Sequence, residues 1–514
     1  MTGAAGPGRP TPPISLDRPP GEMRQRLASV ATTVEDSFLE RLRGVCGSVD
    51  VDDDSCVDAG RDWWPLTMAW AVDGETPARP AAVARPTNAR EVADVLALCN
   101  QAGVPVTPMA GRSGVCGASV PAFGGVSLDL CGLAGILAVD DQSLLVDVLP
   151  GTFGDRFEDE LRASYDLTMG HWPQSIALST VGGWLACRSA GQYSTRYGKI
   201  EDMVVGLEVA LADGRVIRTG GRAPRAAAGP DLTQLFVGSE GTLGVITEAT
   251  LRVHPTPPAE RRAAYAFGGQ SSFAVGLDAC RRILRRGATP AVLRLYDHRE
   301  SKRTFEVEDR SVLIVLDEAE PLLADAVMQL VDDECVSSSG AERLDDALVA
   351  RWLEHRNDVS ALEKTVRGGI TVDTIEIAAR WSALPGIYAD AVTAARAVAG
   401  MWVVSAHQSH AYTDGACLYF TFAGQPTGGD GDRDGEALYR GAWDAVTRAT
   451  LAHGGAVSHH HGIGLNRSRF MRGALGPALD VLAAVKGALD PAGVLNPGKM
   501  GLPSPFGDPP WPAR

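Results

Sequence analysis

Three consecutive histidines stand near the C-terminal end of the chain, in Ser458-His459-His460-His461-Gly462-Ile463-Gly464. In an extended segment neighbouring side chains alternate faces, so His459 and His461 point one way and His460 the other. A packed core has little use for three imidazoles, and a solvated face gains nothing from them. Histidine is the side chain that exchanges protons near neutral pH. The cluster therefore reads as the lining of an active site.

Three further blocks could hold a cofactor. Pro108-Met109-Ala110-Gly111-Arg112-Ser113-Gly114 opens a loop that runs on to Gly117. Its glycines permit the backbone turns that aim successive N–H groups inward, a nest able to take a diphosphate. An ordinary Gly-rich turn would look similar, and neither Gly-x-Gly-x-x-Gly nor Gly-Lys-Ser/Thr is present. In Gln174-Ser175-Ile176-Ala177-Leu178-Ser179-Thr180-Val181-Gly182-Gly183-Trp184, small and hydroxyl residues let a planar ring lie against backbone amides, as a flavin requires. Cys187-Arg188-Ser189-Ala190 continues that wall. The third block is Ser239-Glu240-Gly241-Thr242-Leu243-Gly244-Val245-Ile246-Thr247. Together with the histidine run, the third block points to a flavoenzyme.

The elements that must position these residues are legible in outline. The chain has 514 residues, too many for one ordinary core, with 45% hydrophobic and 22% charged residues, so a globular protein of two or more lobes is expected. A net charge of -15 disfavours nucleic acid as a partner. Nine scattered cysteines without a Cys-x-x-Cys pair fit a reducing cytoplasm. No apolar run is long enough to span a bilayer. Pro- and Gly-rich residues 1–22 read as a disordered tail, and residues 23–81 as a helical arm with Arg24 to Val49 helical. Trp63-Trp64 and Trp70 read as packing of that arm. From Ala82, short strands alternate with helices, including a helix from Thr87 or Asn88 to about Ala102 and a hairpin turn at Asp213-Gly214. His254-Pro255-Thr256-Pro257-Pro258 marks a domain boundary. Gly424 to Asp434 reads as a surface loop, and Ala478 to Leu489 as a helix.

In combination these stretches resemble the FAD-binding family typified by vanillyl-alcohol oxidase and para-cresol methylhydroxylase, and within it the alkyldihydroxyacetonephosphate synthases. The resemblance spans about Pro80 to Lys499. It rests on Gly170-His171, Ser179 to Trp184, Tyr197 to Asp202, Gly229-Pro230-Asp231, Gly238 to Thr247, Leu293 to Asp297, Asp414 to Phe420 and Ser458 to Gly464. It implies an α+β fold. A two-subdomain α/β FAD-binding domain would occupy residues 82–255, and an α+β cap with an antiparallel sheet residues 256–457. A C-terminal segment, 458–514, would close the active site. It also implies noncovalent FAD, a homodimer, peripheral membrane contact, and exchange of the acyl group of acyl-dihydroxyacetone phosphate for a fatty alcohol through an adduct at flavin N5, with no net redox.

The resemblance assigns Tyr419 as a proton shuttle, Arg294 as an arginine needed for activity, and the histidines to proton transfer and substrate binding, His460 or His461 being suited as the base. Without it, Tyr419 would read as an aromatic in an apolar strand and Arg294 as half of a strand-edge ion pair. At the position of the synthases' phosphate-binding arginine stands Leu362, with Arg356 and Arg367 as nearby substitutes. Arg112 could assist a diphosphate. The alternative activity is an oxidase or dehydrogenase of a hydroxy acid or alcohol. Its relatives place Glu-His-Gly-Ile-Gly where this chain has His460-His461-Gly462-Ile463-Gly464. His407, His410 and His461 are suitable ligand types for a metal, but the Gly-Asp-Gly-Asn stretch of those relatives is missing and no metal is expected.

Overall fold

Capping chemistry sets the first helix of the first lobe. Asn88 accepts from Glu91 N at 3.0 Å, and the Glu91 carboxylate accepts from Thr87 N at 3.0 Å. Two N–H groups that would otherwise be left open are satisfied. The helix Ala89–Ala102 ends at Gly103, whose φ of 64° permits a left-handed cap. The computed structural model in which these contacts are seen describes residues 9–27, 30–220, 223–426, 431–509 and 511, with the backbone alone for 431–434.

That helix shares a core with a four-stranded sheet ordered Val49–Asp50, Ala82–Ala84, Val126–Asp129, Val106–Met109, the last three parallel. Ala82, Val83 and Ala84 are all fully buried, as a parallel strand covered on both faces requires. A second, antiparallel sheet runs in the order Val216–Gly220, Val204–Ala210, Val245–Arg252, Leu145–Val148, Ile136–Asp140. Its inner face packs on the helices Gly154–Tyr165 and Val181–Cys187 through Phe157, Leu161, Trp184 and Leu185. The three Gly-rich blocks lie on the connections of these two sheets.

The second lobe is one seven-stranded antiparallel sheet. Its order is Glu342–Leu344, Ala259–Phe267, Ser311–Ala319, Val292–Tyr296, Met401–Ala411, Gly415–Gly424, Thr371–Arg380. The helices Ser272–Arg285, Leu384–Arg396 and Gly431–Ala452 contribute to the same core. The fold is thus α+β, an FAD-type pair of α/β subdomains with a sheet-bearing cap. After the cap the chain returns to the first lobe. Val106 N donates to Val494 O at 2.9 Å, and Asn496 N to Val106 O at 2.8 Å. The helix Ala478–Leu489 sends Lys486 Nζ to Thr242 O at 2.7 Å.

Three expectations need correction. Residues 9–22 are not a disordered tail: Ile14 is buried at 2% exposure, Arg61 donates to its carbonyl, and Arg367 reaches Asp17 at 2.6 Å. Residues 1–8 lie outside the described residues. Arg24 to Val49 is not one helix. The backbone of 24–27 is taken by residues 74–77, with Arg24 N on Gly74 O at 3.0 Å, and helix forms over Asp36–Val45 alone. The 424–434 loop lies outside the described residues at 427–430, and from Gly431 the chain is helical. No described helix is long and apolar enough to cross a membrane.

Candidate active site and flavin cradle

One cavity of ≈ 270 Å³ is walled by all three Gly-rich blocks and roofed by the cap. Pro108, Met109, Ala110, Gly111, Arg112, Ser113 and Gly114 line it. So do Gln174, Ser175, Leu178, Ser179, Thr180, Cys187, Ser189, Ala190, Glu240, Gly241, Gly244, Val245 and Ile246. Arg294, Tyr419, His460 and His461 face the same space.

Six expected site residues stand outside the lining. Ile176 and Leu243 are core residues behind the wall. Thr242 donates to Ser239 O at 2.7 Å, shaping the third block. Ala177 is solvent-exposed. Arg188 pairs with Glu201 at 3.3 Å on the outside. His459 Nε2 is 3.0 Å from the Tyr412 hydroxyl. Arg112 lines the cavity, but its guanidinium is bound by the Asp58 carboxylate at 2.5 Å, which removes it as a diphosphate ligand. Trp63, read from sequence as packing, lines the cavity. His171 stands behind the wall, with Nε2 2.8 Å from Ser189 Oγ.

The first block fits a diphosphate by its backbone. Arg112 has a φ of 53°, which turns adjacent amides to one side. Among the described residues, the N–H groups of 111–116 donate to no protein acceptor. Buried amides do not stay unpaired unless a ligand or water takes them. Gly111 is pressed on the second block: a Cβ there would lie 2.3 Å from Leu178 O. Gly111→Ala is therefore expected to weaken FAD binding by about ten- to a hundredfold, the cost of overpacking. The ratio of flavin to protein absorbance after dialysis measures this, and a wild-type ratio would refute the fit.

Two buried carboxylates staple the histidine segment: Glu376, which was not expected as a site residue, and Glu240, which was expected in the flavin wall but not in this role. Glu376, on the cap strand Thr371–Arg380, accepts from Ser458 Oγ at 2.9 Å, His461 N at 2.9 Å, His459 N and Arg467 Nη1 at 2.7 Å. Burial alone would raise its pKa; Arg467, His461 and His459 instead hold it down to about 2. Glu240, from the third block, accepts from Ile463 N and from Gly464 N at 2.8 Å. The segment is thus clamped from both lobes.

The Tyr419 hydroxyl is 3.0 Å from Thr374 Oγ1 and 3.5 Å from His461 Nε2. His461 Nδ1 lies 3.8 Å from Glu376 Oε1. That is too long for a hydrogen bond and Nδ1 has no other partner; with the proton on Nδ1, facing the carboxylate charge, Nε2 can accept from tyrosine. A second relay was also missed. Arg294 Nη2 is 2.6 Å from His407 Nε2, and His407 Nδ1 is 2.9 Å from Glu300 Oε2. Because arginine only donates, His407 carries its proton on Nδ1. His407 stacks on Tyr419 with ring centres 4.8 Å apart. The metal trio considered from sequence does not assemble, since His407 and His461 are turned to these relays. Ring nitrogens of His410, His459 and His460 instead lie within 4.8 Å of one another.

Burial, with lesser contributions from neighbouring charges, pushes His407, His459 and His461 down to about 4 from an ordinary 6.5. A folded pKa below the unfolded one favours folding above the unfolded value and loses that contribution as pH falls through the folded one. Burial likewise pushes His171, His410 and His460 down, so stability is expected to decline between pH 6.5 and 4, with unfolding taking up about six protons. Urea midpoints across that range measure it, and a flat profile would show that the imidazoles are not buried.

Residues 80–220 match the family described as FAD binding domain, and residues 259–500 match FAD linked oxidases, C-terminal domain. The uncharacterized FAD-linked oxidoreductase YgcU of Escherichia coli O157:H7 is 30% identical over 433 residues, covering 82% of this chain and 89% of that protein. An alkyldihydroxyacetonephosphate synthase of Dictyostelium discoideum is 29% identical over 464 residues, covering 83% and 74%. A solved alkyldihydroxyacetonephosphate synthase structure superposes with a TM-score of 0.76 at 24% identity over 95% of this chain and 88% of that one, which shows a shared fold. With two matching domains and a relative 30% identical over most of both chains, the chain belongs to the FAD-linked oxidoreductase family and is an FAD-dependent enzyme.

Proposed function

We propose that this enzyme exchanges the acyl group of an acyl-dihydroxyacetone phosphate for a fatty alcohol, releasing a fatty acid and forming an ether lipid precursor without net redox. The observation that supports it is the convergence of Tyr419, His460, His461 and Arg294 on the cavity that the flavin wall encloses. The amides of 111–116 and the walls at 174–190 and 240–246 would hold FAD, whose ring would supply an electrophilic centre beside the substrate. The chain supplies proton transfer. A proton leaving the carbon beside the ketone passes to the Tyr419 oxygen as tyrosine gives its own to His461 Nε2. Glu376, ionised at working pH, faces the imidazolium so formed. Burial raises the Tyr419 pKa, so tyrosine enters the cycle protonated and acts as a relay rather than as a standing base. The same groups return the proton to the departing carboxylate or take it from the incoming alcohol.

An anaerobic titration of the yellow protein tests this reading. Acyl-dihydroxyacetone phosphate is expected to bleach the flavin band, and a long-chain alcohol to restore it. An unchanged spectrum rejects the reading. The grouping of His410, His459 and His460 within 4.8 Å favours one alternative, a metal-assisted oxidation of a hydroxy acid or alcohol. That reaction would leave the flavin reduced until an electron acceptor is added.

A further inference from the structure

The cap carries a second arginine, beside Arg294, that no ion pair explains. Arg356 follows the helix Ala347–His355, and its Nη1 donates to Gln192 Oε1 at 3.2 Å. Its guanidinium lies over three aromatic rings, 5.0 Å from Tyr193, 5.5 Å from Trp172 and 5.5 Å from Trp352. Among the described residues no carboxylate pairs with it. Arg294 lies 5.8 Å from the same Trp352 ring, also without a carboxylate, and its Nε is buried with no partner. Trp172 Nε1 is a second buried donor without an acceptor. Gln192 and Val359, which flank Arg356 in space and in sequence, line the cavity.

Donors gathered without acceptors mark a place for an anion. A half-buried guanidinium normally takes a carboxylate from its own chain, because leaving it unpaired is costly. The aromatic cage holds the charge in place by cation–π contact without neutralising it, and the planar fork stays available for an oxyanion. The alternatives are closed. Arg367 is bound to Asp17 at 2.6 Å and Glu363 at 3.0 Å on the surface. Leu362 packs in an apolar cluster with Met68 and Val366.

We propose that Arg356, with Arg294 across Trp352, anchors an anionic group of the substrate, a phosphate ester or a carboxylate, at the cap side of the cavity. This deepens the reading above and rests on it for the phosphate, whereas a carboxylate would belong to the hydroxy-acid alternative.

Calorimetric titration of the FAD-loaded wild type, Arg356→Gln, Arg356→Lys and Arg367→Gln tests it, with dihydroxyacetone phosphate, unphosphorylated dihydroxyacetone and glycolate as probes. Arg356→Gln is expected to weaken binding of the anionic probe by about 10- to 100-fold, the worth of a charge-assisted hydrogen bond, and to leave dihydroxyacetone unaffected. Arg356→Lys, keeping charge without the fork, should fall between, and Arg367→Gln should match wild type. Loss of glycolate binding by Arg356→Gln, in an enzyme that does not bind dihydroxyacetone phosphate, upholds the anchor and rejects acyl exchange. Unaltered binding of both anions by Arg356→Gln, or no anion binding by the wild type, overturns the anchor whatever the fate of the exchange reaction.

Discussion

Tyr419→Phe is expected to lower kcat by about 10²- to 10⁴-fold, the usual worth of a positioned proton-transfer group, with FAD content unchanged. The hydroxyl is the one polar atom of Tyr419 and sits between Thr374 and His461. The ring, stacked on His407, is retained as phenylalanine, so the fold should not suffer. His461→Asn should fall in the same range, because Nε2 is the acceptor that lets tyrosine act as a relay. If the two form one relay, the double variant should be no slower than the worse single variant by more than about threefold, since members of a catalytic unit are not additive. Multiplicative losses would show two separate roles. A Tyr419→Phe enzyme with full turnover would remove tyrosine from the chemistry.

The second large effect concerns Glu376. Removing its charge strands Arg467, a fully buried guanidinium whose Nε and Nη2 already lack partners. Breaking one half of a buried ion pair costs about 3–5 kcal/mol. Glu376→Gln should therefore lower the unfolding free energy by about that amount, read from urea midpoints at constant slope. It should also lower turnover, because the histidine segment loses its clamp. The same carboxylate sets an acid limit. Its folded pKa of about 2 lies below the ordinary 4.5. Its stabilisation is full above pH 4.5 and is lost as pH falls toward 2, with linkage assigning it about 3 kcal/mol. Glu376→Gln should be less sensitive to pH than wild type in that window. Equal sensitivity would show that Glu376 is not the group titrating there.

Surface charge away from the site carries less weight. Arg90 and Asp94, one turn apart on the helix Ala89–Ala102, are 2.8 Å apart but exposed, and an exposed pair of this kind is worth little.

Much of this protein is local and could be read from the chain. The cap at Thr87-Asn88 with Glu91, the stop at Gly103 and the turn at Asp213-Gly214 depend on residues within a few positions of one another, and each forms as expected. The three Gly-rich blocks and the histidine run were visible for the same reason: backbone-binding loops need a particular composition wherever they sit. Other features depend on contacts across hundreds of residues. Glu376 looks like a polar position in an apolar strand until the chain returns with Ser458 to Arg467 and brings it four donors, three to Oε1 and one to Oε2. His407 and His410 share one strand, yet the irregular register between Ser409 and Ala411, with His410 at a φ of 52°, sends them to different partners. Arg112, Arg188 and Arg367 have the chemistry of anion ligands. Only the fold shows that Asp58, Glu201, Asp17 and Glu363 engage them and that Arg356 has no such partner. Sequence determined which groups could bind a flavin and move a proton; tertiary structure decided which are neutralised, because ion pairing depends on distance in space, and spacing along the chain does not report it.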